Sequence, residues 1–311
     1  MDEVLRTGMR NNMGVEVSGG SAQGNFYLSG NYYGEKGPIE ASDYKRFSTR
    51  FNANWNINDR ITVGANVQLS KSFSDQRTRI VGFENNAVPS LSALVGTSPF
   101  GNLYDAEGNY SKFATEDLFA VNPLHKFNES EFDVNVTRAY INPNINIEII
   151  DGLTYTLNTF AQTRMEFFGR YQSDNFTDDA LNLAQVRESE EVNYLLDNIL
   201  NYTREFGDHG VNATVIYGGQ VNKWTRFEMN ARNIAADELG YYGIHSAPAA
   251  QQTIGTNTSD WAKYYVATRL GYNYQGKYSA TFTVRRDASS WFLGDNRSVI
   301  FPSASLSWNA Q

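Results

Sequence analysis

The side chains with reactive potential are few and scattered. Three histidines (His125, His209, His245) lie far apart and cysteine is absent, which removes thiolate metal sites, cysteine nucleophiles and disulfides, and leaves zinc chemistry without a ligand set. The acids cluster better, as Asp105-Ala106-Glu107-Gly108-Asn109, as Asp174 with Asp178-Asp179, and as Glu188, Glu190 and Glu191. None has the Asp-x-Asp-x-Asp-Gly spacing with a distal Glu that marks a calcium loop, and nothing fixes two carboxylates at the separation glycoside hydrolysis needs. They read as turns and solvated loops. The chain is expected to be no enzyme and to carry no metal and no cofactor.

Amide and guanidinium groups recur with more order, at every second position. From Arg46 to Ile57 one parity reads Phe47, Thr49, Phe51, Ala53, Trp55, Ile57 and the other Arg46, Ser48, Arg50, Asn52, Asn54, Asn56. Ile61 to Ser70 repeats the pattern after Asn58-Asp59-Arg60, which makes an antiparallel hairpin. Similar pairs of runs follow to Trp308, joined by short polar turns at 20–23, 58–60, 151, 207–209 and 275–277, and separated by longer links at 35–43, 75–130, 174–190, 232–258 and 287–298.

The 311 residues carry a net charge of -8, a mean hydropathy of -0.48 and 14% aromatics, with no apolar run long enough for a membrane-spanning helix. A nucleic-acid partner is excluded by the acidic balance. Low hydropathy is compatible with a membrane barrel, whose strands alternate lipid-facing and lumen-facing residues, and short turns opposite long loops are its signature. The expected fold is all-β: about eleven strands of a large antiparallel transmembrane β-barrel, spanning residues 1–311 with one long extracellular loop at 75–130. Phe47, Phe51, Trp55, Val63, Val67, Leu157, Val215, Leu270 and Phe282 are expected to face lipid. Arg46, Arg50, Asn52, Asn54, Asn66, Gln68, Asn158, Arg269, Asn273 and Arg285 are expected to face the lumen, with Arg164 and Asn212, most of them bonded to neighbouring wall rather than to a ligand.

Trp55, Tyr155, Tyr202, Tyr274, Tyr278 and Trp308 fall near the short turns, where an interfacial aromatic belt belongs. Phe132, Val134 and Val136 are out of phase with Ile141, Ile145 and Ile149, which predicts a bulge near Arg138 to Tyr140. Aromatics assigned to the long loops, Phe100, Tyr104, Tyr110, Trp224, Tyr241 and Tyr242, are the candidate ligand contacts. A soluble or surface-exposed all-β ligand-binding module is the alternative, but no repeat period supports it, and the best alternating strands carry almost no outward charge.

The motifs then resemble a known family. Leu5-Arg6-Thr7-Gly8, Val15-Glu16-Val17-Ser18-Gly19-Gly20-Ser21 and Asn25-Phe26-Tyr27-Leu28-Ser29-Gly30-Asn31-Tyr32 resemble the start of the barrel in SusC/RagA-type TonB-dependent transporters. Tyr278 to Ser290 and Phe301-Pro302-Ser303-Ala304-Ser305-Leu306-Ser307-Trp308 resemble its mid-barrel motif, with Ala288 where the family commonly has Gly. The resemblance implies an outer-membrane barrel of about 22 strands, filled by a plug and energised by TonB through an N-terminal part that this sequence does not show. It also implies import of oligosaccharides or peptides in Bacteroidetes, with a SusD-like surface lipoprotein as lid. The sequence thus reads as an internal slice that transports nothing alone. The segment 75–129, with a short helix at Ser90 to Val95, is expected to fold on the extracellular rim and belong to the lid interface.

Overall fold

The computed structural model describes residues 5–77, 100–115, 121–176 and 181–310. The predicted helix at Ser90 to Val95 and the acids Asp178 and Asp179 lie outside these. The described residues form one antiparallel sheet of eleven strands in strict sequence order. The strands are β1 (Met9–Ser21), β2 (Gly24–Lys36), β3 (Asp43–Asn58), β4 (Ile61–Asp75), β5 (Ser130–Ile150), β6 (Leu153–Gln172), β7 (Leu183–Phe206), β8 (His209–Arg232), β9 (Gln252–Tyr274), β10 (Tyr278–Ser289) and β11 (Ser298–Trp308). Among the described residues of the long β4–β5 link, one short helix, α1 (Pro123–Asn128), is present. The expected all-β barrel wall is therefore present.

The short turns close because their residues supply the backbone that two-residue hairpins demand. Asn58 Oδ1 accepts the amides of Arg60 and Ile61, both at 2.9 Å. Gly152 sits at φ 83, and a Cβ there would meet the Thr203 carbonyl oxygen at 2.3 Å. Only glycine satisfies both demands.

Two sequence expectations are corrected. The β4–β5 register runs without a break from Asp75↔Asp133 to Ile61↔Ile147, so no bulge exists near Arg138 to Tyr140. The shift in β5 lies at its turn, between Glu148 and Ile150. Phe132, Val134 and Val136 change parity because the upper part of the strand buries its opposite face. The long links are also shorter than predicted: β7 begins at Leu183 and β9 at Gln252. Thr253 to Asp260 is polar on both sides of the strand except at Ile254 and so reads as loop, yet it pairs with β8 from Asn230 to Lys223. Trp224 consequently belongs to a strand and not to a loop.

The buried hydrophobic residues gather into two clusters, both at the long-link end. Elsewhere large apolar side chains stand exposed in rows, with Val15 at 75% and Leu306 at 86%. That much bare apolar surface marks an interaction face, here one as broad as the sheet.

Candidate functional site: a wall with two chemistries

Residues directly opposite in an antiparallel pair share a face, so the register sorts every strand position. One row runs Leu28–Phe51–Val67–Ile141–Ala161–Tyr194–Val221, and the adjacent row on the other side runs Tyr27–Asn52–Asn66–Asn142. Propagated through the sheet, this places all nine predicted lipid-facing residues on one side and all ten predicted lumen-facing residues on the other. Trp55, Tyr155, Tyr202, Tyr274, Tyr278 and Trp308 all join the apolar side, the last three forming a single row.

The polar side is largely cross-linked to itself. Asn66 Nδ2 donates to Asn142 Oδ1 at 3.2 Å, and Asn142 Nδ2 to Asn158 Oδ1 at 3.0 Å, making an amide ladder across three strands. Arg50 donates to Gln68 at 3.2 Å. Arg46 lies over the Tyr33 ring. Arg285 grips Asp287 through Nε at 2.8 and 2.9 Å and stacks 4.3 Å from the Tyr265 ring centroid. The side chains of Asn52, Asn54 and Arg269 make no hydrogen bond among the described residues. Arg269 and Asn273 meet in a recess of about 310 Å³ near the short-turn end, with Thr203, Asn212, Ser279 and Thr281 on its walls.

At the long-link end the wall is clothed on both sides. On the polar side, α1 packs Leu124 and Phe127 against Phe132 and Phe168. Asn122 caps it: its fully buried amide accepts from the Leu124 amide at 3.1 Å and donates to the Ser111 carbonyl at 2.9 Å. His125, also buried, lies between the carbonyls of Tyr110 and Asn175, at 3.1 and 2.8 Å, so one imidazole ties two links together. Arg187 closes the layer with its guanidinium 4.0 Å from the Phe168 ring centroid.

On the apolar side, the 3-10 segment Asp237–Ser246 folds down over β6 to β8. Tyr241 and Ile244 pack against Tyr171, Ala184 and Ala231. The Tyr241 hydroxyl donates to Asp133 at 2.9 Å, the Tyr171 hydroxyl to Asp237, and burial together with those carboxylates pushes both phenols up. Burial and the neighbouring Asp133 also raise the Glu131 carboxyl. Gly169 permits this docking, since a Cβ there would stand 2.7 Å from the Tyr241 ring.

The six candidate ligand aromatics therefore do not form one site. Tyr104 and Tyr110 stack at 5.2 Å in the β4–β5 link beside a Phe100 that is 94% exposed. Trp224 is half-buried on the polar side of β8. Tyr241 and Tyr242 lie on the opposite side, against Phe167. Sequence reasoning missed Asn122, His125 and Asp237, of which only Asn122, preceding Pro123, carried a capping signal. Asp105 makes a plain turn, accepting the amides of Glu107 at 3.0 Å and Asn109 at 2.8 Å. No metal-ligating cluster occurs among the described residues.

No protein-family model matches the chain. Two curated relatives from Formosa agariphila do, over nearly all of it: TonB-dependent receptor P3, 27% identical over 99% of this chain and 31% of its own length, and TonB-dependent receptor P39, 26% identical over 99% of this chain and 29% of its own. The chain is thus similar over nearly its whole length to TonB-dependent receptors. The wall superimposes on the RagAB peptide transporter with a TM-score of 0.83, at 18% identity, covering 97% of this chain and 34% of that one. It thus spans under a third of the length of the curated receptors it matches.

Proposed function

We propose that this wall belongs to a TonB-dependent importer that brings oligosaccharides or peptides across the outer membrane. The observation that carries the reading is the separation of chemistries: one side of eleven consecutive strands is apolar and bare, the other amide-rich and hydrogen-bonded, in a chain similar end to end to TonB-dependent receptors. The apolar side meets lipid. Along β7 it runs from Tyr202 to Val192 before charge begins at Glu190, the roughly 9 to 11 residues a tilted strand needs to cross the hydrocarbon. The aromatic ends of that band anchor it at the interface near the short, periplasmic turns.

The polar side lines the lumen. Its ladders hold the wall's own amides, and unpaired Asn52, Asn54 and Arg269 offer donors to a plug or to passing solute. Import against a gradient needs an energised plug, so TonB is the implied energy source, acting through other parts of the receptor. The clothed long-link end, with Tyr104, Tyr110 and the exposed Phe100, is where a SusD-like surface lipoprotein docks; the solved neighbour is itself described as a RagAB peptide transporter.

The test is uptake in a strain lacking the full-length receptor, fed labelled oligosaccharides in one arm and labelled oligopeptides in the other. Loss of uptake in one arm, restored by the intact receptor and abolished by uncoupling the inner-membrane proton gradient, is the expected result. Unchanged uptake in both arms, or uptake indifferent to the uncoupler, refutes it.

A further inference from the structure

We propose that the apolar side carries a built seat for a phosphorylated, acylated lipid of the outer leaflet, with the acyl chain in a notch at Gly30 and the phosphate on Lys45 and Lys71. This rests on the reading above that the apolar side meets lipid.

The sheet is not evenly padded there. In the row Val15–Gly30–Thr49–Leu69–Ala139 the β2 and β3 positions, Gly30 and Thr49, are small, whereas the row above carries Met13, Tyr32 and Phe47, the last two with ring centroids 5.1 Å apart. The result is a groove of about 690 Å³ across β1 to β5, mostly apolar, with Lys71 on its rim. A Cβ at Gly30 would meet nothing within 4 Å, so the floor is open space and not a packed contact. A bilayer does not leave such space empty, and a flexible hydrocarbon chain is the occupant that fits an apolar trough facing lipid.

Charge tells which lipid. Lys45 and Lys71 lie on the same side of β3 and β4, just beyond the apolar band toward the long loops, and are diagonal neighbours because Lys45 faces Phe73 and Phe47 faces Lys71. Such neighbours stand about 7 to 8 Å apart, close enough for one phosphate to reach both flexible ammonium groups. Both are exposed and neither makes an ion pair among the described residues; Lys71 only rests over the Phe73 ring, 5.3 Å from its centroid. Of the other carboxylates on this side, Asp43 is paired with Arg6 and Asp75 with Arg77, while Asp133, four positions beyond the residue opposite Lys71, accepts the Tyr241 hydroxyl. Glu188 and Glu190 share the side but lie three strands away from β4, at about 14 Å, beyond the roughly 8 Å screening length at physiological salt. The rim of the groove is therefore locally cationic, and an anionic headgroup is its complement.

The experiment uses the full-length receptor in phosphatidylcholine nanodiscs doped with lipid A, with phosphatidylcholine alone as reference, and measures lipid A retained on repurification by native mass spectrometry. Each lysine is expected to contribute about fivefold, from about 1 kcal/mol per cation at a membrane surface, so Lys45→Gln with Lys71→Gln should lower retention about thirtyfold. Gly30→Phe, which fills the notch without a backbone clash, should lower it as well. Heat-modifiable migration on gels confirms that each variant barrel is folded. Retention unchanged by the lysine pair overturns the proposal, and loss with the lysines but not with Gly30→Phe overturns the notch as acyl-chain seat. A photocrosslinker in place of Phe51 separates the two readings. Crosslinking to acyl chains alongside unchanged retention sinks the seat alone, whereas no crosslinking to lipid sinks the face assignment beneath it.

Discussion

Phe51→Arg is the substitution on which the orientation of the wall turns. Phe51 stands midway between Phe47 and Trp55 on β3, opposite Leu28 on β2 and Val67 on β4, so it occupies the centre of the apolar band with no charged neighbour on its own side of those strands nearer than Lys45 and Lys71. An arginine there must carry its guanidinium through hydrocarbon to water, at a cost of about 2 to 4 kcal/mol in a transmembrane barrel. That is roughly a 30- to 900-fold loss in the folding equilibrium. Asn52→Arg, one residue on, points into the polar side beside Tyr27 and Asn66 and should shift stability by no more than about 0.5 kcal/mol. Trp55→Arg, at the turn-end boundary of the band, should cost about 0 to 1 kcal/mol for its charge, because the penalty falls with depth. The assay is guanidinium unfolding of the full-length receptor folded into liposomes, with midpoint shifts compared at constant slope. A larger cost at Asn52 than at Phe51 would reverse the two sides. Equal costs at Phe51 and Trp55 would show that no depth-dependent lipid band exists.

Two further outcomes follow from the clothed end of the wall. Asn122→Ala removes the α1 cap and leaves the Ser111 carbonyl without its buried donor, so a local loss of about 1 to 3 kcal/mol should appear as faster amide exchange at Leu124; unchanged protection there would refute the cap. Glu131 titrates above the usual carboxylate range through burial and Asp133. A carboxyl with a raised folded pKa stabilises fully below its unfolded pKa and loses that contribution as pH rises through its folded value. Exchange protection of Asp237–Ser246, whose Gly240 lies over Glu131, should therefore decline as pH rises from about 4 toward neutrality. Glu131→Gln should flatten that decline, and an unaltered slope in the variant would assign it to another group.

The alternation in β3, β4, β6 and β8 was legible from residue order alone, because a strand has period two and these stretches carry one apolar and one polar side. Asn-Asp-Arg and Asp-Gly were legible as turns because a two-residue hairpin takes its conformation from its own residues. Above the apolar band those signals fade. Thr253 to Asp260 is strand with polar residues on both sides, and only its register with β8 reveals it. The parity change at Phe132, Val134 and Val136 looked like an inserted residue, yet it records a change of partner: α1 and the β4–β5 link cover the polar side there, while Asp237–Ser246 covers the other. Nothing local tells a loop which side of a wall to fold over. Tyr241 went to the apolar side because Gly169 left room for its ring and Asp133 waited for its hydroxyl, and both lie far from it in sequence. The sequence by itself determined the two chemistries of the wall and the turns that fold it. Only the tertiary structure decided where the loop aromatics lie, since their positions depend on long-range packing at the end of the strands, where the contrast between media that writes alternation into a sequence no longer exists.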